Sequence, residues 1–477
     1  MNRLVILETI KFHKIMWRLL LGCLFLSSFI GRAQLFDTNH LVDTNVGSLY
    51  GVKTGDFDND GDPDLLTITS QELVWYENLD GQGNFGSAIN IDSNTGQSLQ
   101  SFKQTVVDLD QDGWDDILIS YFSQDLIAYY RNLGNNTFAP FQTLASNLNE
   151  VAGMTPGDCD GDGDLDLVLG VSNNSGLYWL EHLDGNGSFG PLQSIRTSIS
   201  SARNQAIGDI DGDGDLDFLS NSSGAVIMSW FENVNGQGDF SLRHIIDNSG
   251  ASYENTFQLA DIDGDGDLDN LTARFDEILW RENLDGQGTF GSNRTIFLST
   301  DSSISFNYVV AVDIDNDGDL DVTYDIGIGY GKVYHLNTDG MGNFGPPNYI
   351  PPQIGDRSFL NHAMDMDSDG DMDLICGNYD FATNIANIYW YENLTILSTD
   401  TFSMQGLKLY PNPVKETLII ESPIEIQKVN IYTFLGKKVL EVTQNVNEIS
   451  LSGLPSGSLL LKLETEKGNI IEKIVKE

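Results

Sequence analysis

One nine-residue string decides what this chain can fold into. The pattern Asp-x-Asp-x-Asp-Gly-x-x-Asp occurs seven times, first from Asp56 to Asp64, then starting at Asp108, Asp158, Asp209, Asp261, Asp313 and Asp365. Successive starts lie 52, 50, 51, 52, 52 and 52 residues apart. A fixed period of this length marks a repeat architecture, in which each unit buries its faces only against its neighbours. A second string follows each copy. It runs from Trp75 to Phe85 in the first repeat and returns at Trp179, Trp230 and Trp280. It is looser at Tyr129 and Tyr334, and is cut short at Trp390.

Between these strings lie short β-type runs such as Asp64 to Thr69 and Asp166 to Gly170, with no helical period of adequate length. Asp-Gly and Gly-x-Gly clusters mark tight turns between them. A repeat of this size with four short strands is one propeller blade, and seven repeats make seven blades. An isolated four-stranded sheet leaves open edges, so the blades must close into a ring. The expected fold is all-β: a seven-bladed β-propeller over 34–397 and a small C-terminal β-sandwich over 407–477, joined by a linker at 398–406. The last blade stops at Glu392-Asn393 with no outer strand after it, whereas a spare extended piece, Leu35 to Val42, precedes the first. That piece is expected to become the outer strand of blade seven and lock the ring.

The acidic strings read as cation sites. Asp at positions one, three and five, Gly at six and Asp at nine approach the start of an EF-hand loop, without its bidentate Glu at twelve. Short carboxylates at alternate positions can curl round one point, and Gly permits the sharp turn. The candidate ligands are Asp56, Asp58, Asp60 and Asp64; Asp108, Asp110, Asp112 and Asp116; Asp158, Asp160, Asp162 and Asp166; Asp209, Asp211, Asp213 and Asp217; Asp261, Asp263, Asp265 and Asp269; Asp313, Asp315, Asp317 and Asp321; and Asp365, Asp367, Asp369 and Asp373. A large hard cation that takes six to eight oxygens suits this set, which favours Ca²⁺ over Mg²⁺. A single such loop is equally well a solvated acidic turn; seven with the same four Asp are not. Up to seven Ca²⁺ are expected, in a structural role. Position seven is Asp in six copies and Trp114 in one, which fits a main-chain ligand. Position two is always apolar (Phe57, Leu109, Cys159, Ile210, Ile262, Ile314 or Met366) and should point into the blade.

Charge narrows the partners. Lys plus Arg number 25 against 70 Asp plus Glu, a net charge of -45. Nucleic acid and anionic membrane surfaces are thereby disfavoured, since both need Lys/Arg clusters. Residues 1–33 read as a secretory signal peptide. Lys11, Lys14 and Arg18 precede an apolar run from Leu19 to Ile30, and Ala33 supplies a small exit residue. A start at Met16 stays open. The run is too short to span a bilayer comfortably, and no other segment reads as a membrane span. Of the cysteines after the leader, Cys159 and Cys376 fall in repeats three and seven, which are not adjacent in a ring. Both read as buried free thiols.

The repeated Asp string followed by a Leu/Val-rich strand resembles the FG-GAP/VCBS repeat family, which includes the propeller of integrin α chains and many bacterial surface proteins. The likeness covers about three quarters of the chain. It implies a seven-bladed propeller whose Asp loops bind Ca²⁺. Repeat two departs from the pattern at Trp114-Asp115. Family members include adhesins, lectins and some carbohydrate lyases.

The tail changes composition abruptly. From Ser403 onward there are nine Lys, nine Glu, and no Asp or Arg. Alternating runs at Thr417–Ile420, Val429–Tyr432, Val439–Val442 and Leu459–Leu463 predict an antiparallel sandwich, with a hairpin turn at Gly436-Lys437-Lys438. Tyr410-Pro411-Asn412-Pro413, then Gly436-Lys437-Lys438-Val439, then Leu454-Pro455-Ser456-Gly457, resembles the type A C-terminal sorting domain of the type IX secretion system. Ser458-Leu459 and the final Lys-Glu depart from it. The resemblance implies export through the periplasm to the outer surface or medium, with the type IX machinery as a partner.

No catalytic signature stands out. There is no Gly-x-Ser-x-Gly, His-Glu-x-x-His or Cys-x-x-Cys. Gly327 to Lys332 faintly resembles a phosphate loop, but Val333 replaces the Ser or Thr, so an inter-strand turn is expected. Glu77, Glu181, Glu232, Glu282 and Glu392 recur at one blade position, which suits structural pairing, and the Trp series suits inter-blade packing. Strand connectivity puts the acidic loops and the Asp-Gly-x-Gly turns on one face. The other face carries connections that differ from blade to blade, such as Ser120–Gln124, Ser172–Gly176, Asp325–Gly331 and Tyr379–Ala386. Variable loops suit recognition. The expected function is a secreted or surface calcium-binding propeller acting as a binding or adhesion module for an extracellular glycan or protein. The rivals are a calcium-dependent, polysaccharide-lyase-like enzyme with a basic cluster in the central funnel, and a purely structural coat component.

Overall fold

The structure is a computed structural model. It describes residues 35–395 and 408–476, except 38, 45, 71, 94–100, 122–123, 149, 173–175, 198–201, 203, 223–226, 249–253, 302–305, 327–330, 351–356, 381–384, 412, 424–425, 434–437, 444–445, 455–456 and 466–467. The expected leader and linker lie outside the described residues, as do the centres of the variable connections named above. No described helix is long and apolar enough to cross a membrane.

Every acidic string ends on the first residue of a strand. Asp64 opens Asp64–Thr69 and Asp373 opens Asp373–Asp380; each is the second of four antiparallel strands in its sheet. Blade one runs Leu49–Gly55, Asp64–Thr69, Glu72–Tyr76 and Ile89–Ser93 from inner to outer edge. Five further sheets repeat this plan. Strand two is buried along its whole length in each of the first six blades. A neighbouring blade covers each face of the sheet, which buries even the polar Ser220 and Asn221 of blade four and Asn270 and Thr272 of blade five. The outer strand is half exposed and alternates.

Seven sheets close into one ring. Each inner strand packs on the next, and Leu49–Gly55 of blade one packs on Arg357–Met364 and Asp373–Asp380 of blade seven. The seventh sheet takes its outer strand from the other end of the propeller: His40–Thr44 pairs antiparallel with Ile385–Tyr391, His40 facing Trp390 and Thr44 facing Asn387. The locking piece is therefore as expected, but its regular part starts later than Leu35. Phe36 makes only an isolated bridge to Asn393, because its ring is buried against Tyr334 of blade six, centroids 5.6 Å apart.

The Trp series packs between blades. A Cβ at Gly83 would fall 2.2 Å from the ring of Trp390, and Gly83 holds φ at 70°, so that turn requires glycine twice over. The same seat recurs for Trp179 at Gly238, Trp230 at Gly288, Trp280 at Gly342 and Tyr129 at Gly187. Blade two differs. Its turn is one residue shorter, and Gly134 receives Trp114 of its own acidic loop.

The tail forms two antiparallel sheets round one core. One holds Lys408–Tyr410, Thr417–Glu421 and Glu448–Ser450; the other holds Lys438–Val442, Ile426–Thr433, Gly457–Thr465 and Gly468–Lys476. Leu418, Ile420, Val429, Ile431, Leu459, Leu461 and Ile474 fill the space between them. Residues 436 and 437 of the expected hairpin turn are not among those described, but the strands it would join pair antiparallel.

Candidate metal centres

All seven acidic loops share one backbone. Position four adopts positive φ even where it is not glycine: Asn59 at 59°, Gln111 at 56°, Asn316 at 57° and Ser368 at 60°. Position six is Gly with φ between 90° and 99°. Position one caps the loop: Asp56 Oδ2 accepts from Gly61 N at 3.0 Å, and each other copy repeats the bond. Position five accepts the N–H of position seven, as Asp60 does from Asp62 at 3.0 Å. Repeat two keeps both bonds, so Trp114 does not disturb the main chain. The apolar side chain at position two is buried in every blade, as expected.

Position nine ties the loop to the rest of the blade. Asp64 is fully buried; its Oδ2 accepts from Phe57 N at 3.1 Å and its Oδ1 from Asn78 N at 2.8 Å. Asp116, Asp166, Asp217, Asp269, Asp321 and Asp373 make the same pair of bonds. Burial pushes Asp64 and Asp373 up to about 8, and neighbouring carboxylates add to the rise while the two N–H bonds oppose it.

Positions one, three and nine converge. In each of the first four loops, carboxylate oxygens of Asp56/Asp58/Asp64, Asp108/Asp110/Asp116, Asp158/Asp160/Asp166 and Asp209/Asp211/Asp217 lie within 4.8 Å of one another. Position five stands beside position three, and its charge is among the causes that raise Asp58 to about 6, after burial. The third position carries the unmet demand. One buried carboxylate oxygen each of Asp58, Asp211, Asp263, Asp315 and Asp367, and both of Asp110, have no hydrogen-bond partner. A buried carboxylate oxygen left bare is costly, and a cation at the convergence point would satisfy it. The donor set is all oxygen and all anionic, which suits a hard divalent cation.

The recurring Glu has a role on both sides. Glu181, Glu232, Glu282 and Glu392 pair with Gln193, His244, Arg294 and His40 at the outer strand, as structural pairing predicts. Each of the five Glu also adds negative charge at position three of its loop.

Sequence reasoning gave the Asn of the second string no role. Its amide reaches back to the preceding blade: Asn132 Nδ2 donates to Phe57 O at 2.8 Å, Asn233 to Cys159 O at 2.7 Å, Asn283 to Ile210 O, Asn337 to Ile262 O and Asn393 to Ile314 O. Each acceptor is the main-chain carbonyl of position two in an acidic loop. The loops are thus wired into a belt round one face. The only signal in the sequence was the recurrence of Asn at one register.

Other expectations hold. Cys159 and Cys376 are buried and free. Lys332, near the faint phosphate-loop string, is buried and paired with Asp325 at 2.6 Å, while residues 327–330 are not described.

The fold is similar to solved propeller-like structures. One is the Agrocybe aegerita lectin described for specific recognition of non-reducing terminal N-acetylglucosamine: 20% identity, TM-score 0.50, covering 64% of this chain and 80% of that one. Another is BBS1N in complex with ARL6DN: 11% identity, TM-score 0.51, covering 74% and 96%. No curated protein matches the chain significantly. A family model for the secretion system C-terminal sorting domain matches 408–477. A model for the FG-GAP-like repeat matches 56–119, 108–169, 158–220, 209–272 and 261–324, each span running from one acidic loop through the next. With more than half its length so matched, this chain belongs to the FG-GAP-like repeat family and ends in a type IX secretion sorting domain.

Proposed function

We propose that this exported β-propeller is a calcium-stabilised binding module. Asp at positions one, three, five and nine would hold the ion, with the position-seven carbonyl as a further oxygen. The ion would supply charge neutralisation and loop rigidity. A signal peptide at 1–33 and a propeller over 34–397 belong to the same reading.

One cavity carries the binding role. It measures about 490 Å³ and lies between blades seven and one, on the face opposite the acidic loops. Asp43, Ser48, Thr69, Ser70, Glu72 and Tyr76 line it, with Val46 and Val74. Tyr76 Oη donates to Asp43 Oδ2 at 2.7 Å, which fixes that carboxylate. The size suits a small ligand or a terminal unit of a larger one. Two carboxylates and four hydroxyl side chains suit a polyhydroxylated ligand, so a glycan is favoured over an anionic partner. Calcium-loaded protein should bind members of a glycan array, and Asp43→Ala with Glu72→Ala should abolish that binding while the propeller stays folded by circular dichroism. Retained binding in the double variant rejects this cavity as the site.

A lyase-like activity is the second reading. Inner strands bring Lys53, Lys103 and His362 together, close enough that Lys53 contributes to lowering the other two. Lys103 Nζ donates to Asn204 at 2.9 Å and His362 Nε2 meets Thr54 Oγ1 at 2.7 Å. Unsaturated sugar products absorbing in the ultraviolet would establish this reading; their absence across acidic polysaccharides would reject it.

A further inference from the structure

Blade two carries its own cation. Arg131 stands at the register held by Glu77, Glu181, Glu232, Glu282 and Glu392 in five blades and by Leu336 in blade six. Its guanidinium donates through Nη2 to Asp112 at 2.9 Å and stands against Asp110 through Nε as an ion pair without a hydrogen bond, so charge and not hydrogen bonding is what it supplies to Asp110. These are positions three and five of the second loop. In five blades that register adds a negative charge to the cluster; here it adds a positive one. Guanidinium stays charged at any physiological pH and its fork matches two carboxylates at once.

Two further changes act the same way. Tyr129 Oη donates to Asp116 Oδ2 at 2.9 Å, giving position nine a third hydrogen bond. Trp114 replaces the position-seven carboxylate present in the other six loops. Backbone conformation is not the difference, since loop two keeps the capping bonds and the left-handed position four of its neighbours.

We infer that the second loop is not a calcium site, and that the Arg131 guanidinium holds Asp110 and Asp112 in place of a metal ion. The propeller then takes six ions, with blade two constitutively ordered. This inference rests on the calcium reading of the other loops.

Hydrogen exchange of the full chain, with excess calcium or with chelator, tests it loop by loop. In the wild type the six loops starting at Asp56, Asp158, Asp209, Asp261, Asp313 and Asp365 should gain protection with calcium, and 108–116 should not. Arg131→Glu copies the common register. It should make 108–116 calcium-responsive and raise bound calcium, measured by elemental analysis, by one ion per chain. Arg131→Leu, which copies blade six, serves if the Glu variant misfolds, and should show the same gain. Calcium protection of 108–116 in the wild type overturns the inference, as does a variant with no added ion. If no loop responds at all, the calcium reading itself fails.

Discussion

Asn78 Nδ2 donates to the main-chain carbonyl of Met366 at 2.9 Å, joining residues 288 apart in sequence. The side-chain oxygen accepts from Gly83 N at 3.1 Å, and the main-chain N–H of Asn78 donates to Asp64 Oδ1. One buried asparagine therefore binds the first acidic loop, the first outer turn and the last acidic loop together. Five more Asn repeat the joint. At the blade two–three junction His182 stands in the Asn position, its Nε2 accepting from Gly187 N at 2.8 Å.

Asn78→Ala should destabilise the propeller by about 1–3 kcal/mol, since it strands the buried Met366 carbonyl and the Gly83 N–H of the outer turn. Exposed Asn84→Ala should change stability by less than about 0.5 kcal/mol. Chemical denaturation of both variants checks the contrast.

Calcium should raise the melting temperature. At ten times the dissociation constant, linkage gives about 1.4 kcal/mol per site, so several kcal/mol over the ring. Scanning calorimetry in calcium and in excess chelator measures it. Coincident transitions would mean that the bare oxygens at position three are not met by a metal.

Two glycines separate strain from collision. Gly61→Ala meets open space but holds φ at 96°, so its cost should be about 1–2 kcal/mol of backbone strain. Gly83→Ala adds a collision with the Trp390 ring and should cost more, about 3 kcal/mol or above. Equal losses in a denaturation series would contradict the packing described for Trp390.

His362 sets an acid limit. Burial, helped by Lys53, pushes its ring down to about 4 from 6.5. The unfolded chain therefore takes up this proton first, and stability is lost as pH falls from 6.5 toward 4. His362→Gln keeps a partner for Thr54 but does not titrate. Measured in chelator, the stability of the wild type relative to this variant should be constant above pH 6.5 and decline below it. A flat difference would show that the ring is not held neutral.

Period and turn chemistry exposed most of the architecture. The Asp that ends each string is also the first residue of strand two, so the motif located a strand edge as well as a site. The missing outer strand after Asn393 and the spare piece before Val42 revealed the lock, because a four-stranded blade tolerates no deficit. The Asn belt was not legible: its bonds run from one blade to the loop before it, a relation that appears only once the ring is closed. Arg131 was passed over in the sequence, because its meaning depends on its approach to Asp110 and Asp112. The polar cavity was equally hidden: its lining falls within residues 43–88, but Asp43 takes its place there only because its strand pairs with the last strand of blade seven.

The lock by His40–Thr44 also orders events in time. The partner strand ends at Tyr391, so the earliest-made part of the propeller waits unpaired until nearly all of it has been synthesised. Blades one to six can form as they emerge, yet the wheel cannot shut before its last spoke exists. An exporter that recognises the sorting tail beyond residue 407 would thus encounter a chain already long enough to close.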